Sequence, residues 1–419
     1  MNIKSRIIIL SLLLSIVPLS QSFGQSDLQA MIAARSKIFG LEHVNPQTGE
    51  LPADKVIFSW ISNSTFAASV EGRVILLDTF ITRLELSPGR SPVVIQDMLD
   101  LSPEAILLGH GHGDHADNAA YIAVKTGALI YATEESCSIM QRDFERMRND
   151  PLIQDNPSTR FAVNASLECI SVTGTGSVPG TELVQLDVLE PNACVVALRH
   201  LHSIAVPPDP DFPPTPVQII VDPRDAGLFP EGTPLTPDGD AIPGQMNLRA
   251  TRDSGGDQSL FFSFMLRNNE HFTFVFHNTA GALKEGIGRG WDGTPEDGQR
   301  VIDLLESLPP TDVQLGTASS GNFNNNGLRD LIMYQQALQP RIYIPNHITS
   351  GTATREASSM SVYAGYLSQL DLMGMPPEQR PEIRWLIDPT DFLKPIVFDA
   401  NASLWRNPLK EERMNQLCN

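Results

Sequence analysis

The sequence predicts a layered α/β fold, on three observations. Short apolar runs rich in β-branched residues alternate with longer amphipathic stretches, as strands do with the helices that cover them. This strand-and-helix succession occurs twice, once in each half of the chain. A dense cluster of histidine and aspartate falls on one of the strand-to-helix loops, where α/β proteins place their chemistry.

Taken in order, the chain opens with an apolar run at residues 7–17 preceded by Lys4 and Arg6 and followed by the small residues Ser22 and Gly24. That is the pattern of a secretory signal peptide, assigned to residues 1–24, and it implies export to the periplasm or the extracellular space. No other stretch is apolar for long enough to span a bilayer, so no membrane association is expected once the leader is removed. Residues 25–419 read as a single domain. An amphipathic opening at 27–39 and a polar turn at 45–49 lead into three β-like runs at 55–61, 65–70 and 73–78, separated by turn residues.

A helix is expected near 93–99, a buried strand at 105–108, a helix at 117–125, a strand at 128–132 and a charged helix at 134–148. Strand-rich sequence continues to Leu198. Residues 207–243 hold too much proline and glycine for regular structure and read as a loop insertion bordering the site. Apolar runs at 259–266 and 272–276 flank a polar tip and read as a hairpin. A helix at 299–308, a strand at 312–315, a helix at 328–338 and a strand at 341–345 complete the second succession, with a last strand at 382–389 entering a proline turn.

The formal charge of −19 becomes more negative once Lys4 and Arg6 leave, which excludes nucleic acid and anionic membrane surfaces as partners. The four cysteines, Cys137, Cys169, Cys194 and Cys418, permit three full pairings, and an exported chain keeps them oxidised. Cys169 and Cys194 each begin a β-like run, which suggests that those two pair.

The cluster itself is His110-Gly111-His112-Gly113-Asp114-His115. In an extended segment, His110 and His112 project to the same side, while Asp114 and His115 lie one step further, beside a second position. Neutral imidazole and carboxylate suit zinc, with manganese or iron as alternatives.

HGHGDH after an apolar strand resembles the HxHxDH motif of the metallo-β-lactamase fold hydrolases. The resemblance implies a four-layered αββα sandwich in which two sheet-plus-helix halves pack face to face. It also implies further ligands: a third histidine after a mid-chain strand, which selects His202 and leaves His200 as a possible neighbour of the site, and a final one, His347. Asp78, ending an apolar strand, matches a carboxylate that supports the metal loop. The pattern breaks at the bridging aspartate, where Phe274-Val-Phe276 runs into His277-Asn278-Thr279. A neutral Asn278 lacks the charged bridging oxygen, so a weakened second position or a single metal is expected, with His277 as a substitute nitrogen ligand.

Such proteins are metal-dependent hydrolases in which the cation activates a water. The implied assignment gives His110, His112 and His202 the first metal; Asp114 joins His115 and His347 at the second or, with that position empty, orients the water and handles its proton. Gly255-Gly256 resembles a feature of the lactonase-like and phospholipase-D-like branch. The expected reaction is cleavage of an ester, lactone or amide bond in a small molecule. A phosphodiesterase and a catalytically degenerate metal-binding scaffold are the alternatives.

Overall fold

The computed structural model describes residues 25–81, 93–204, 207–212, 255–318, 326, 328–348, 359–386, 391 and 393–418. The leader at 1–24 and most of the proline-rich stretch at 207–243 lie outside the described residues.

In the first half, α1 (Gln25–Phe39) precedes β1 (Lys55–Ser62), β2 (Thr65–Val70), β3 (Arg73–Leu77), α2 (Ile95–Asp100) and β4 (Ala105–Leu107). Next come α3 (Gly113–Ala116), α4 (Ala119–Thr126), β5 (Leu129–Thr133), α5 (Glu134–Arg148), α6 (Pro151–Gln154) and β6 (Cys169–Thr173). The second half begins with β7 (Val184–Leu186), β8 (Ala193–His200), β9 (Ser259–Leu266) and β10 (Thr273–His277), then the small ribbon β11 (Ile287–Gly288) and β12 (Trp291–Asp292). It continues through α7 (Pro295–Ser307), β13 (Val313–Thr317), α8 (Arg329–Leu338), β14 (Ile342–Asn346), α9 (Ser359–Leu372) and β15 (Glu382–Ile383), and ends with β16 (Ile396–Asp399) and α10 (Pro408–Leu417).

Among the described residues two seven-stranded sheets result, with strand orders β16-β1-β2-β3-β4-β5-β6 and β15-β14-β13-β10-β9-β8-β7. Each begins as an antiparallel meander and continues in parallel, β3 to β6 in one and β10 through β13 and β14 to β15 in the other. The parallel parts need helical crossovers, which is why α2, α4, α7 and α8 fall where they do.

The pleat sorts side chains into layers. Phe58 of β1 enters the core between the sheets with Phe66, Phe262, Phe264 and Phe274, whereas its neighbour Ile57 faces outward with Leu76, Ile106 and Ile130 onto Ile38, Met98, Tyr121 and Phe144. On the far side, Val196, Leu198, Phe261 and Val275 of the second sheet meet Val301, Leu305, Tyr334 and Met414. Helices, sheet, sheet and helices therefore stack as the four layers expected, and the apolar runs of β8 and β9 are buried throughout because both of their faces are covered.

Two expectations are corrected. The helix expected at 299–308 begins at Pro295, since Thr294 and Asp297 form a capping box around a proline in the first turn. Cys169 does not pair with Cys194: the disulfides are Cys137–Cys169, joining α5 to β6, and Cys194–Cys418, joining β8 to the residue after α10. Cys169 belongs to the first sheet and Cys194 lies on the outer face of the second, so each finds its partner in its own layer pair. Among the described residues no helix is long and apolar enough to cross a membrane.

Candidate metal centre

The loops leaving β3, β4, β8, β10 and β14 meet at one edge of the sandwich, outside the carboxyl ends of these strands. Leu108 to His112 follow β4, and the peptides of His110 to Gly113 feed the short turn α3. Gly256 is required there by contact: its carbonyl accepts from the Gly111 nitrogen (3.1 Å), and a Cβ at Gly256 (φ 102°) would stand 2.9 Å from the Gly111 carbonyl carbon.

His110, His112 and His202 converge, all buried. His110 Nε2 lies 3.1 Å from His112 Nδ1 and 3.3 Å from His202 Nε2. The opposite nitrogen of each ring is engaged. His110 Nδ1 donates to Asn278 Oδ1 (2.9 Å), His112 Nε2 to Asp257 Oδ1 (2.9 Å) and His202 Nδ1 to the Ser203 carbonyl (2.8 Å). These rear bonds place the protons away from the centre and turn three nitrogen lone pairs toward one another, an arrangement that a cation stabilises. Burial and the neighbouring rings hold His110 well below the usual histidine range, and burial with His112 holds His202 at about 3. Both are therefore neutral at physiological pH, the form in which imidazole binds metal.

Asp114, His115 and His347 form a second group. Asp114 Oδ2 is 3.3 Å from both His115 Nε2 and His347 Nε2. Burial opposes charge on His115, yet Asp114 and Asp78 outweigh it and raise the ring to about 10, while His115 and His347 hold Asp114 well below the carboxylate range against its own burial. Without a cation this group thus keeps a proton that a bound cation would displace. The two groups adjoin: the His110 and His115 ring centres are 4.0 Å apart.

Asp78 is fully buried behind this pair. It accepts from His115 Nδ1 (2.9 Å), Ser64 Oγ (2.6 Å), Asn278 Nδ2 (2.7 Å) and the Gly109 nitrogen (3.0 Å). Asp78 (φ 57°) and His347 (φ 58°) both adopt the left-handed conformation that side chains usually avoid, a strain that clusters where a site dictates geometry.

The structure separates the other candidates. His200 and His277 do not join either group, because strand alternation puts His200 on the face of Val196 and Leu198 and His277 on the face of Val275, toward the outer helices. There His200 Nδ1 meets the Tyr334 hydroxyl (3.0 Å), and His277 Nδ1 donates to the Thr279 carbonyl while its ring stacks on Tyr334 and Phe261. Asn278 is not an aspartate substitute left idle: both ends of its amide are used, on His110 and on Asp78, behind the ligand-type nitrogens.

Three residues were not legible as site residues. Asp257 follows the Gly255-Gly256 pair, which was the available signal. Ser64 and Asn63 sit in the β1–β2 turn, where Asn63 Nδ2 donates to the Asp114 carbonyl (2.8 Å) and the Asn63 carbonyl accepts from the His347 nitrogen (3.0 Å). Nothing local in a turn announces a contact across the sandwich.

Comparison with known proteins agrees with this picture over a limited stretch. A UPF0173 metal-dependent hydrolase of Shouchella clausii is 37% identical over 82 residues, 20% of this chain and 33% of its own length. One from Methylocella silvestris is 35% identical over 83 residues, 19% of this chain and 33% of that protein. The chain thus spans about a third of the length of the curated relatives it matches. Among solved structures, Igni18, a metallo hydrolase from Ignicoccus hospitalis, aligns with a TM-score of 0.44 at 12% identity, covering 82% of this chain and 98% of that one. An isothiocyanate hydrolase from Delia radicum gut bacteria aligns with a TM-score of 0.43 at 14% identity, covering 82% of this chain and all of that one. No protein-family model matches the chain. The HGHGDH loop and the four layers built by this chain agree with the resemblance to the metallo-β-lactamase fold hydrolases, and part of the chain is similar to proteins named metal-dependent hydrolases.

Proposed function

We propose that the protein is an exported hydrolase holding two divalent cations, most naturally zinc, and cleaving an ester, lactone or amide bond of a small molecule. The observation that carries this reading is the pairing of two adjoining donor groups, one of three imidazoles and one of two imidazoles and a carboxylate. Cations bound there supply Lewis acidity and bring the pKa of a water toward neutrality. The chain's own groups do the rest. Asp114, ionised and with 37% of its side chain exposed, reaches solvent and accepts the proton of the attacking water at a carboxylate oxygen, then returns it to the leaving group. Asp78 and Ser64 hold His115 in place, Asn278 holds His110, and Asn63 ties the Asp114 loop to the His347 loop.

The two donor groups favour two cations over one, and Asn278, engaged on His110 and Asp78, supports the ligand residues in place of bridging them. The two disulfides support export to an oxidising compartment. The net charge of −19 supports a small molecule over a polyanion.

The test is turnover of chromogenic ester, lactone, amide and phosphodiester substrates by the zinc-loaded protein. Hydrolysis of a carboxyl-type substrate that falls by about 100-fold or more in His112→Ala is expected. Turnover of the phosphodiester alone would replace the bond assignment, and turnover indifferent to His112→Ala would remove the site from the chemistry.

A further inference from the structure

Asp257 lies outside the HGHGDH loop and belongs to neither donor group, yet it is the rear partner of His112. The same oxygen, Oδ1, stands 2.9 Å from His112 Nε2 and 2.9 Å from Arg289 Nε. Arg289 is itself fixed at the centre, since its nitrogen donates to the carbonyl of His202 (3.3 Å). On either side of it, Gly288 packs on the His202 backbone and Gly290 (φ 71°) on the Asp257 side chain, where an added Cβ would come within 2.9 and 2.7 Å respectively. The ribbon tip between β11 and β12 is thus bolted to two of the three convergent histidines.

We infer that Asp257 and Arg289 form a positioning pair that sets the cation affinity of the three-histidine group through His112. A carboxylate accepting from Nε2 fixes the His112 tautomer with its lone pair on Nδ1, orients the ring, and makes Nδ1 a stronger donor to a cation. Arg289 balances the charge of Asp257 so that the carboxylate stays turned to the histidine. His110 and His202 rest on neutral oxygens, so His112 is the one ring of the three backed by a charged group. The inference rests on the two-cation reading above.

The experiment is competition between a chromophoric chelator and the full chain for zinc, after stripping, for wild type, Asp257→Asn and Arg289→Gln. In Asp257→Asn one of the two zinc ions should bind about 10- to 100-fold more weakly and the other unchanged. In Arg289→Gln the same ion should weaken by less than about fivefold, the effect of losing a half-exposed ion pair. Melting of the stripped proteins should coincide, a readout that separates positioning from general structural damage. An Asp257→Asn protein with wild-type affinities for both ions overturns the inference alone, whereas a wild-type chain that binds no zinc overturns the metal reading and the inference with it. A measurement needing no variant is the histidine nitrogen-proton correlation spectrum of the zinc-loaded wild type. A His112 proton on Nε2 is expected, and a proton on Nδ1 contradicts the pair's role.

Discussion

At the residue scale, the site is a set of lone pairs aimed by rear hydrogen bonds, and its electrostatics make two predictions. His202 is held at about 3 against an ordinary value of 6.5, so below 6.5 the unfolded metal-free chain takes a proton that the folded chain refuses, and stability falls as pH falls. Replacing His202 by Asn removes that term. Urea unfolding of both metal-free proteins should therefore show the stability of the wild type dropping more steeply than that of His202→Asn from pH 6.5 to 5. Parallel curves would contradict the buried neutral state. Asn278→Asp places a carboxylate where Nδ2 now donates to Asp78 at 2.7 Å, so it is expected to destabilise the metal-free fold by about 2 to 4 kcal/mol, read by denaturant midpoint. The ligand-type residues were legible because HxHxDH packs four of them into six positions and two more histidines end later strands. Asp257, Ser64 and Asn63 were not, because a single polar residue in a turn carries no period, and its partner is set by tertiary packing.

At the element scale, strands and the helices between them were readable wherever an apolar run met a turn signal. The 134–148 helix and the 259–266 strand fall where the sequence put them. The ribbon β11–β12 and helix α10 escaped, the first because two-residue strands have no alternation to read and the second because its buried face is small. Yet α10 is bound twice to the second sheet layer, by Cys194–Cys418 and by the buried pair of Lys410 and Asp312. Replacing Cys194 and Cys418 together by Ser should cost about 2 to 5 kcal/mol, with the loss seen as a lower thermal midpoint in oxidising buffer. A second buried charge cluster joins α8 to the segment following His202. Arg329 there pairs with Asp209, Asp330 and Glu285 (2.6 Å for each of the last two). Arg329→Met strands these carboxylates and should destabilise by about 3 to 5 kcal/mol in the same measurement.

At the scale of the whole molecule, the two halves each present loops at the same edge, and the candidate centre exists only where they meet. His110, His112, Asp114 and His115 come from the first half, His202 and His347 from the second, and Asn63, through His347, and Asn278, through His110, cross between them. The layered fold could be anticipated from alternation and resemblance, since each sheet is buried on both faces. How the halves lock at the site could not, because that depends on contacts between residues as far as 284 positions apart, as with Asn63 and His347. The central claim is that these contacts build two separate cation positions. Elemental analysis of the zinc-loaded chain measures this most directly: two ions per wild-type chain, one in His112→Ala and one in His347→Ala are expected. A single ion in the wild type, or two ions retained in both variants, would contradict it.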